Sequence, residues 1–377
     1  MAAFLPAPFT AQQLRALQAQ LDTPALLIVQ ERLQKNILAM QALAKGSHTS
    51  LRPHTKTHKS PQIARWQLEA GAQGITVAKL SEAEVMAQAG FTNIFIANQI
   101  THPLKLKRLR SLHEKVTLIV GLDHPRQIAL LRPHFENASR PLNVRIEIDS
   151  GLQRCGVPPD QTLLRLAQTV MRHKWLNLEG IFTHAGQAYA AQSREEIEQI
   201  GHEEGALMAK ARALLAREGI TIQTVSVGST PTVPFSAQNN AVNEIRPGNY
   251  VFYDAMQLAL GAAGAEDCSL FVLATVTSRP RAERLVVDAG SKALHTDGAA
   301  LTGHFGLPLG IEGRVVRLSE EHGILQVPAD CPLQPGDPLL LLPNHACAVV
   351  NLFDAYYLVD SSLQTEYLPI EGRGKSQ

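Results

Sequence analysis

Between residues 24 and 264, short apolar runs alternate with stretches whose apolar positions recur every three or four residues. The run ALLIV (25–29) is followed by Leu33, Ile37 and Met40, spaced four and three apart, on one face of a predicted helix. SLRPH (50–54) leads into SPQIARWQLEAGA, where Ser60 suits an N-cap, Pro61 a first helical turn and Gly71 a stop. GITVA (74–78) precedes LSEAEVMAQAG, in which Ser81 and Glu84 have capping-box spacing and Gly90 ends the helix. NIFIAN, VTLIVGL, NVRIEID, LEGIFTH and TVSVGS continue the strand series. Strands separated by helical segments form parallel βαβ units, and about eight of them in this span predict a (β/α)8 TIM-type barrel over 24–264.

After GAAGAED (261–267) the pattern changes. LFVLATVTS, ERLVVDAGS, EGRVVRLS, GILQVP, PLLLLPNHA and YYLVD read as strands divided by Gly, Pro and Asp, with almost no helical period. That predicts a C-terminal all-β domain over 265–377, with residues 1–23 packed against it.

Composition narrows the function classes. The 35 basic and 34 acidic side chains nearly cancel, which argues against a nucleic-acid partner. No apolar run approaches the roughly 18 residues of a membrane span, and the first twenty residues lack a basic stretch followed by an apolar one. Four cysteines in 377 residues make no disulfide framework. A cytoplasmic enzyme with a small-molecule substrate is the expectation.

A barrel presents its chemistry at the C-terminal ends of its strands. Those ends offer His54, Lys56 and Lys59 in LRPHTKTHK, Arg154 in SGLQRCGV, and His184, Gln187 and Tyr189 in THAGQAY. Gly228, Ser229 and Thr230 follow in VGSTPT, and Arg246, Gly248, Asn249 and Tyr250 in RPGNYVFYD. Gly-Ser-Thr after a strand, with a second Gly-opened turn in RPGNY, makes a phosphate cradle of backbone N–H groups and hydroxyls; neither is a Walker loop. A phosphate cradle with a lysine at a strand end points to pyridoxal phosphate. Arg52, His54 and Lys59 are the cations expected to push Lys56 toward its neutral, nucleophilic form.

The motifs RPHTKTHK, EIDSGLQRCGV, THAGQAY, VGSTPT, RPGNYVFYD, EEHG and PNHAC, in this order over nearly the whole chain, resemble the D-serine dehydratase/D-threonine aldolase family. These are fold-type III pyridoxal-phosphate enzymes whose barrel is related to that of alanine racemase. The resemblance implies that Lys56 is the Schiff-base lysine and Lys59 an accessory cation. It places Arg154 near the cofactor's phenolic oxygen and His184 against its ring. Tyr189 is set near cofactor and substrate, with His54, Gln187 and Tyr250 in the same pocket. Gly228, Ser229, Thr230, Gly248 and Asn249 are implied at the phosphate, and Arg246 at the pyridine nitrogen. Asp288, Glu321 and His322 belong to the family pattern without an assigned role, and Glu147 and Asp149 read as supports of the barrel mouth.

In PNHAC, His345 and Cys347 stand two apart, so an extended backbone would point both side chains to one face. Imidazole and thiolate suit zinc, with manganese or magnesium as the alternatives, and two protein ligands leave positions open. The remaining cysteines read as small buried hydrophobes. The resemblance implies a metal-assisted lyase that dehydrates a β-hydroxy D-amino acid, D-serine or D-threo-3-hydroxyaspartate. Retro-aldol cleavage of D-threonine is the rival. The family's dehydratases are expected to carry a thiolate at the second ligand position and its aldolases a carboxylate, so Cys347 favours dehydration. An amino-acid racemase would need a second base that the sequence does not offer, and a non-catalytic cofactor carrier would not need the β domain. A homodimer is implied by the resemblance.

Overall fold

The computed structural model describes residues 4–377. Residues 1–3, part of the stretch expected to join the β domain, lie outside the described residues. Nine strands occupy the first part of the chain: β1 (Ala25–Val29), β2 (Ser50–Leu51), β3 (Ile75–Val77), β4 (Asn93–Ile96), β5 (Thr117–Leu122), β6 (Leu142–Glu147), β7 (Leu176–Phe182), β8 (Thr224–Val227) and β9 (Glu244–Ile245). Eight follow: β10 (Leu270–Arg281), β11 (Arg284–Val287), β12 (Leu307–Pro308), β13 (Arg314–Leu318), β14 (Gly323–Gln326), β15 (Pro338–Leu342), β16 (Ala355–Val359) and β17 (Thr365–Pro369).

Strands β2 to β9 form one parallel sheet in the order β2-β9-β8-β7-β6-β5-β4-β3. Its two ends meet: a parallel bridge joins His54 to Thr76, with Thr76 N donating to the Pro53 carbonyl at 2.8 Å. The sheet is therefore a closed eight-stranded barrel. Helices cover its outer face, among them Gln30–Gly46, with Leu33, Ile37 and Met40 buried as the spacing predicts, and Pro61–Glu69.

The membership of the barrel differs from the expectation at one strand. ALLIV, read as the first barrel strand, runs antiparallel to β10 and parallel to β16 in the other sheet. All five of its residues are buried, and a continuous apolar run fits the interior of either sheet equally well. The eighth barrel strand is instead the two-residue β9, which lies just before the RPGNY turn, where the sequence predicts no strand. Helix capping is also displaced. Lys79 is the N-cap of Leu80–Gln88, and Glu82 accepts from the backbone N–H groups of Ala78 (2.8 Å) and Lys79 (3.0 Å). Ser81 and Glu84 bind Arg108 instead.

The barrel interior holds a buried ion cluster that hydrophobic patterning does not reveal. Arg145, fully buried on β6, binds Glu244 and Glu179, while Arg52 Nε donates to Glu244 at 2.7 Å. Two guanidinium groups hold the Glu244 carboxyl far below its ordinary range despite its burial. Arg52, expected to act on Lys56, is committed to this cluster and to Asn93.

The second sheet has nine strands, in the path β13-β14-β11-β10-β1-β16-β17 with β15 on β10 and β12 on β15. The helix Ala11–Gln18, capped reciprocally by Thr10 and Gln13, packs Leu14 and Leu17 into its core with Leu27, Phe271 and Leu340. Asp288 accepts from Thr23 Oγ1 (2.5 Å) and Thr275 N (2.8 Å), so it ties the N-terminal segment to β10. Glu321 is an exposed partner of Lys292.

The chain divides into two compact units that are not contiguous in sequence. The barrel unit is Leu38–Lys56, Pro61–Gly248 and Gly374–Gln377; the β unit takes the stretch up to Ile37, Thr57–Ser60 and Asn249–Arg373. Thr57–Ser60 is held in the β unit by three bonds, described below. Among the described residues no helix is long and apolar enough to cross a membrane.

Candidate active site

In the barrel unit, Lys56 follows the end of β2 and is half-buried. His54 positions it twice over: its backbone N–H donates to the Pro247 carbonyl at 3.0 Å, and its Nδ1 faces the Lys56 N–H at 3.4 Å. The second lysine of the motif is differently placed. Lys59 lies in the β unit with a φ of 51°, buried, and its carbonyl accepts from Gly372 N at 2.9 Å.

The loop after β6 carries Arg154, which is exposed, on a turn closed by Asp149. The Asp149 carboxylate accepts from Gly151 N (2.9 Å) and Gln153 N (3.0 Å). Gly156 is required there: its φ is 106°, and a Cβ would come within 2.6 Å of the Asp149 nitrogen. Arg154 acts on both Glu147 and His184. Next to it, Asp123, Glu147 and Cys155 bring ligand-type atoms within 4.8 Å of one another, a grouping the sequence did not suggest. Of the three cysteines read as buried, Cys268 and Cys331 are so, whereas Cys155 is half-buried among these acids.

His184, after β7, donates through Nδ1 to the Gly228 carbonyl. Desolvation, helped by the Lys56 ammonium, pushes its pKa down to about 3, so the ring is neutral with Nδ1 protonated. Gln187 turns its amide nitrogen onto the Ser150 carbonyl at 2.6 Å, and Tyr189 is half-buried in the short 3-10 turn Gly186–Ala190.

Ser229 and Thr230 sit at the end of β8, both buried, and neither Ser229 Oγ nor Thr230 Oγ1 has a partner among the described residues. Two unsatisfied buried hydroxyls are costly, about 1–3 kcal/mol each, unless a ligand answers them. They fit the phosphate of pyridoxal phosphate, whose oxygens accept. A Cβ on Gly228 would lie 3.1 Å from the Arg246 Cβ and 3.2 Å from its carbonyl oxygen, so a side chain there would also press on Arg246. Arg246 is buried, bound to Ser226 Oγ and to the Thr183 carbonyl (2.6 Å), with Phe182 5.3 Å from its guanidinium carbon. Burial pushes its pKa down to about 10. Gly248 follows Pro247, the acceptor for His54.

In the β unit, Asn249 donates an amide hydrogen to Asp254 at 2.6 Å, and its buried Oδ1 has no partner among the described residues. An acceptor oxygen does not suit phosphate, so what Asn249 could offer one is its second amide hydrogen or its main-chain N–H. Tyr250 is completely buried. Asp254 also receives Ala346 N at 2.8 Å, the N–H between His345 and Cys347.

The expectation of an extended HAC segment is corrected. His345 is the N-cap of the helix Ala346–Val350, so Cys347 lies in the first helical turn. The side chains still approach one another: the Cys347 sulfur hydrogen-bonds to the imidazole. His345 Nδ1 is 2.6 Å from Asp297 Oδ2, and Cys347 Sγ is 3.2 Å from Thr57 Oγ1. Tyr356 OH donates to the His58 carbonyl at 2.5 Å. With the Gly372–Lys59 bond, these contacts hold Thr57–Ser60 in the β unit.

Residues 28–255 match the family described as alanine racemase, N-terminal domain, and residues 269–359 the putative serine dehydratase domain. The chain belongs to the D-serine dehydratase/D-threonine aldolase family. It is accordingly a pyridoxal-phosphate-dependent lyase. It is 36% identical over 370 residues to a D-threo-3-hydroxyaspartate dehydratase of Delftia sp. (strain HT23), covering 92% of this chain and 96% of that one. It is 32% identical over 364 residues to a D-threonine aldolase of Arthrobacter sp., covering 95% and 94%. The solved structure of the Delftia dehydratase superposes with a TM-score of 0.88 at 33% identity, covering 93% of this chain and 97% of that one. Two further similar structures, both of a D-threo-3-hydroxyaspartate dehydratase, carry a histidine-to-alanine and a cysteine-to-alanine replacement two positions apart, the latter in a metal-free form.

Proposed function

We propose that this lyase dehydrates a small β-hydroxy D-amino acid, with D-threo-3-hydroxyaspartate and D-serine the leading substrates. The observation that carries the reading is the imidazole–thiol pair of His345 and Cys347, which has the spacing of the histidine and cysteine replaced in the D-threo-3-hydroxyaspartate dehydratase variants. When bound, pyridoxal phosphate supplies an electron sink for charge at Cα and a divalent metal a Lewis acid for the β-hydroxyl.

The chain's own residues then have separate duties. Lys56 anchors the cofactor and takes the Cα proton. Ser229 and Thr230 donate their unused hydroxyls to the phosphate. His184, kept neutral, gives its Nδ1 proton to Gly228 and leaves an uncharged ring for stacking. Arg154, exposed on its loop, is the cation for the phenolic oxygen, and Arg246, fixed by Ser226 and Thr183, the donor for the pyridine nitrogen. His345 and Cys347 hold the metal, for which an N,S pair favours zinc over manganese or magnesium. Departure of the hydroxyl with a proton, then hydrolysis of the product, yields a 2-keto acid and ammonia.

Aldol cleavage is the second reading, favoured by the 32% identity to the Arthrobacter D-threonine aldolase. Incubation with D-serine, D-threo-3-hydroxyaspartate and D-threonine separates the two. Keto acid and ammonia are expected; glycine with an aldehyde as the main products would replace dehydration by cleavage.

A further inference from the structure

We propose that Asp297 is the positioning residue of the metal pair: it fixes the ring and tautomer of His345 so that Nε2 is presented beside the Cys347 sulfur. This rests on the reading of His345 and Cys347 as metal ligands. The Asp297 carboxylate, 48 residues upstream, lies 2.6 Å from His345 Nδ1. A carboxylate can only accept, so Nδ1 carries a proton toward Asp297 and Nε2 is the nitrogen left to face a metal. The Cys347 sulfur already bonds to this imidazole, so its remaining nitrogen and the thiol are brought together.

The carboxylate is itself held. Its Oδ1 accepts from Gly298 N at 2.9 Å, while Asp297 N donates to His295 Nδ1 at 3.0 Å. One oxygen thus sets the HTDG turn and the other sets the imidazole. Gly298, with a φ of 85°, lets that turn pack against the metal loop, since a Cβ there would be 3.1 Å from Asn344 Cβ, on the residue before His345. Carboxylate–imidazole–metal triads fix ring orientation and raise ligand basicity in this way.

Asp297 is 52% exposed, so its pair with His345 adds little to folding, and its loss should appear in metal affinity rather than in stability. The test is a zinc titration of the cofactor-loaded enzyme in competition with a chromogenic chelator. Asp297→Ala, Asp297→Asn, His345→Ala and Cys347→Ala are compared with the parent, alongside the Tm of each metal-free protein. Asp297→Ala should weaken zinc binding about 10–100-fold. Asp297→Asn, which keeps an acceptor, should lose less, and the metal-free Tm should be unchanged. If His345→Ala and Cys347→Ala lose zinc while Asp297→Ala binds it within about twofold of the parent, the positioning role is wrong and the metal pair stands. A matching fall in metal-free Tm would make Asp297 a structural residue and also overturn the proposal. Zinc retained by His345→Ala and Cys347→Ala would instead overturn the metal reading on which it rests.

Discussion

The Thr57 hydroxyl lies 3.2 Å from the Cys347 sulfur, although 290 residues separate them in sequence. Thr57 is the residue after Lys56, so the proposed cofactor anchor is peptide-bonded to a neighbour of the proposed metal ligand. A thiolate at Cys347 would accept from this hydroxyl, which fixes one lone pair and leaves the others for the metal. Thr57→Val keeps the shape and removes the donor. Zinc affinity should fall about tenfold, while cofactor absorbance is unaltered. An unchanged chelator-competition curve would show that the contact is incidental.

The two lysines of the motif should separate cleanly. Borohydride reduction of the yellow enzyme should fix the cofactor to the peptide carrying Lys56. Lys56→Ala should abolish turnover with the fold intact, because the residue is both anchor and base. Lys59, buried at a φ of 51°, should instead affect stability when changed. Label recovered on Lys59 would overturn the assignment.

Ser229 and Thr230 offer a test in which affinity and stability move apart. Each hydroxyl bonded to a phosphate oxygen is worth about 1.5–3 kcal/mol, so Ser229→Ala and Thr230→Val should each weaken cofactor binding roughly 10–100-fold. The cofactor-free protein should be no less stable, since each change removes a buried hydroxyl without a partner among the described residues. Gly228→Val should lower the cofactor-free Tm as well, because its side chain meets Arg246. Equal loss of Tm in all three variants would rule out a phosphate role for the hydroxyls.

Stability against pH should carry the signature of His184. Its pKa is about 3 in the folded chain against 6.5 when unfolded, so below pH 6.5 the unfolded chain binds the extra proton. The contribution is complete above pH 6.5 and is lost as pH falls toward 3, at up to about 1.4 kcal/mol per pH unit. His184→Gln should flatten the cofactor-free stability profile between pH 6.5 and 4.5. Below 4.5 the depressed Glu244 adds a loss that the variant retains. His113 and His304, also lowered by burial, slope the same way, and Glu147, Glu204 and Asp254, raised by burial, slope the opposite way. All five are common to both proteins, so the difference curve isolates His184. Parallel profiles would mean that the ring titrates normally.

Local rules made much of this protein legible. Periodicity located Gln30–Gly46 and the strands from Ile75 to Val227, and the Ser60-Pro61 start and Gly71 stop delimited a helix, because these signals depend only on neighbours along the chain. The motifs named the family for the same reason: each is a short segment whose chemistry travels with its residues. Partnerships across the chain were decided elsewhere. ALLIV has the same apolar surface for either sheet, and only pairing with β10 and β16 places it in the second. The two residues of β9 carry no periodicity, yet they close the barrel because Ser50 and Leu51 lie beside them. Arg52 reads as a cation for Lys56, but Glu244, 192 residues later, claims it, since a buried charge must find an opposite one. His345 and Cys347 read in sequence as a candidate metal pair. Asp297, Asp254 and Thr57, which hold that pair, come from three distant segments, and only the tertiary structure brings them to it.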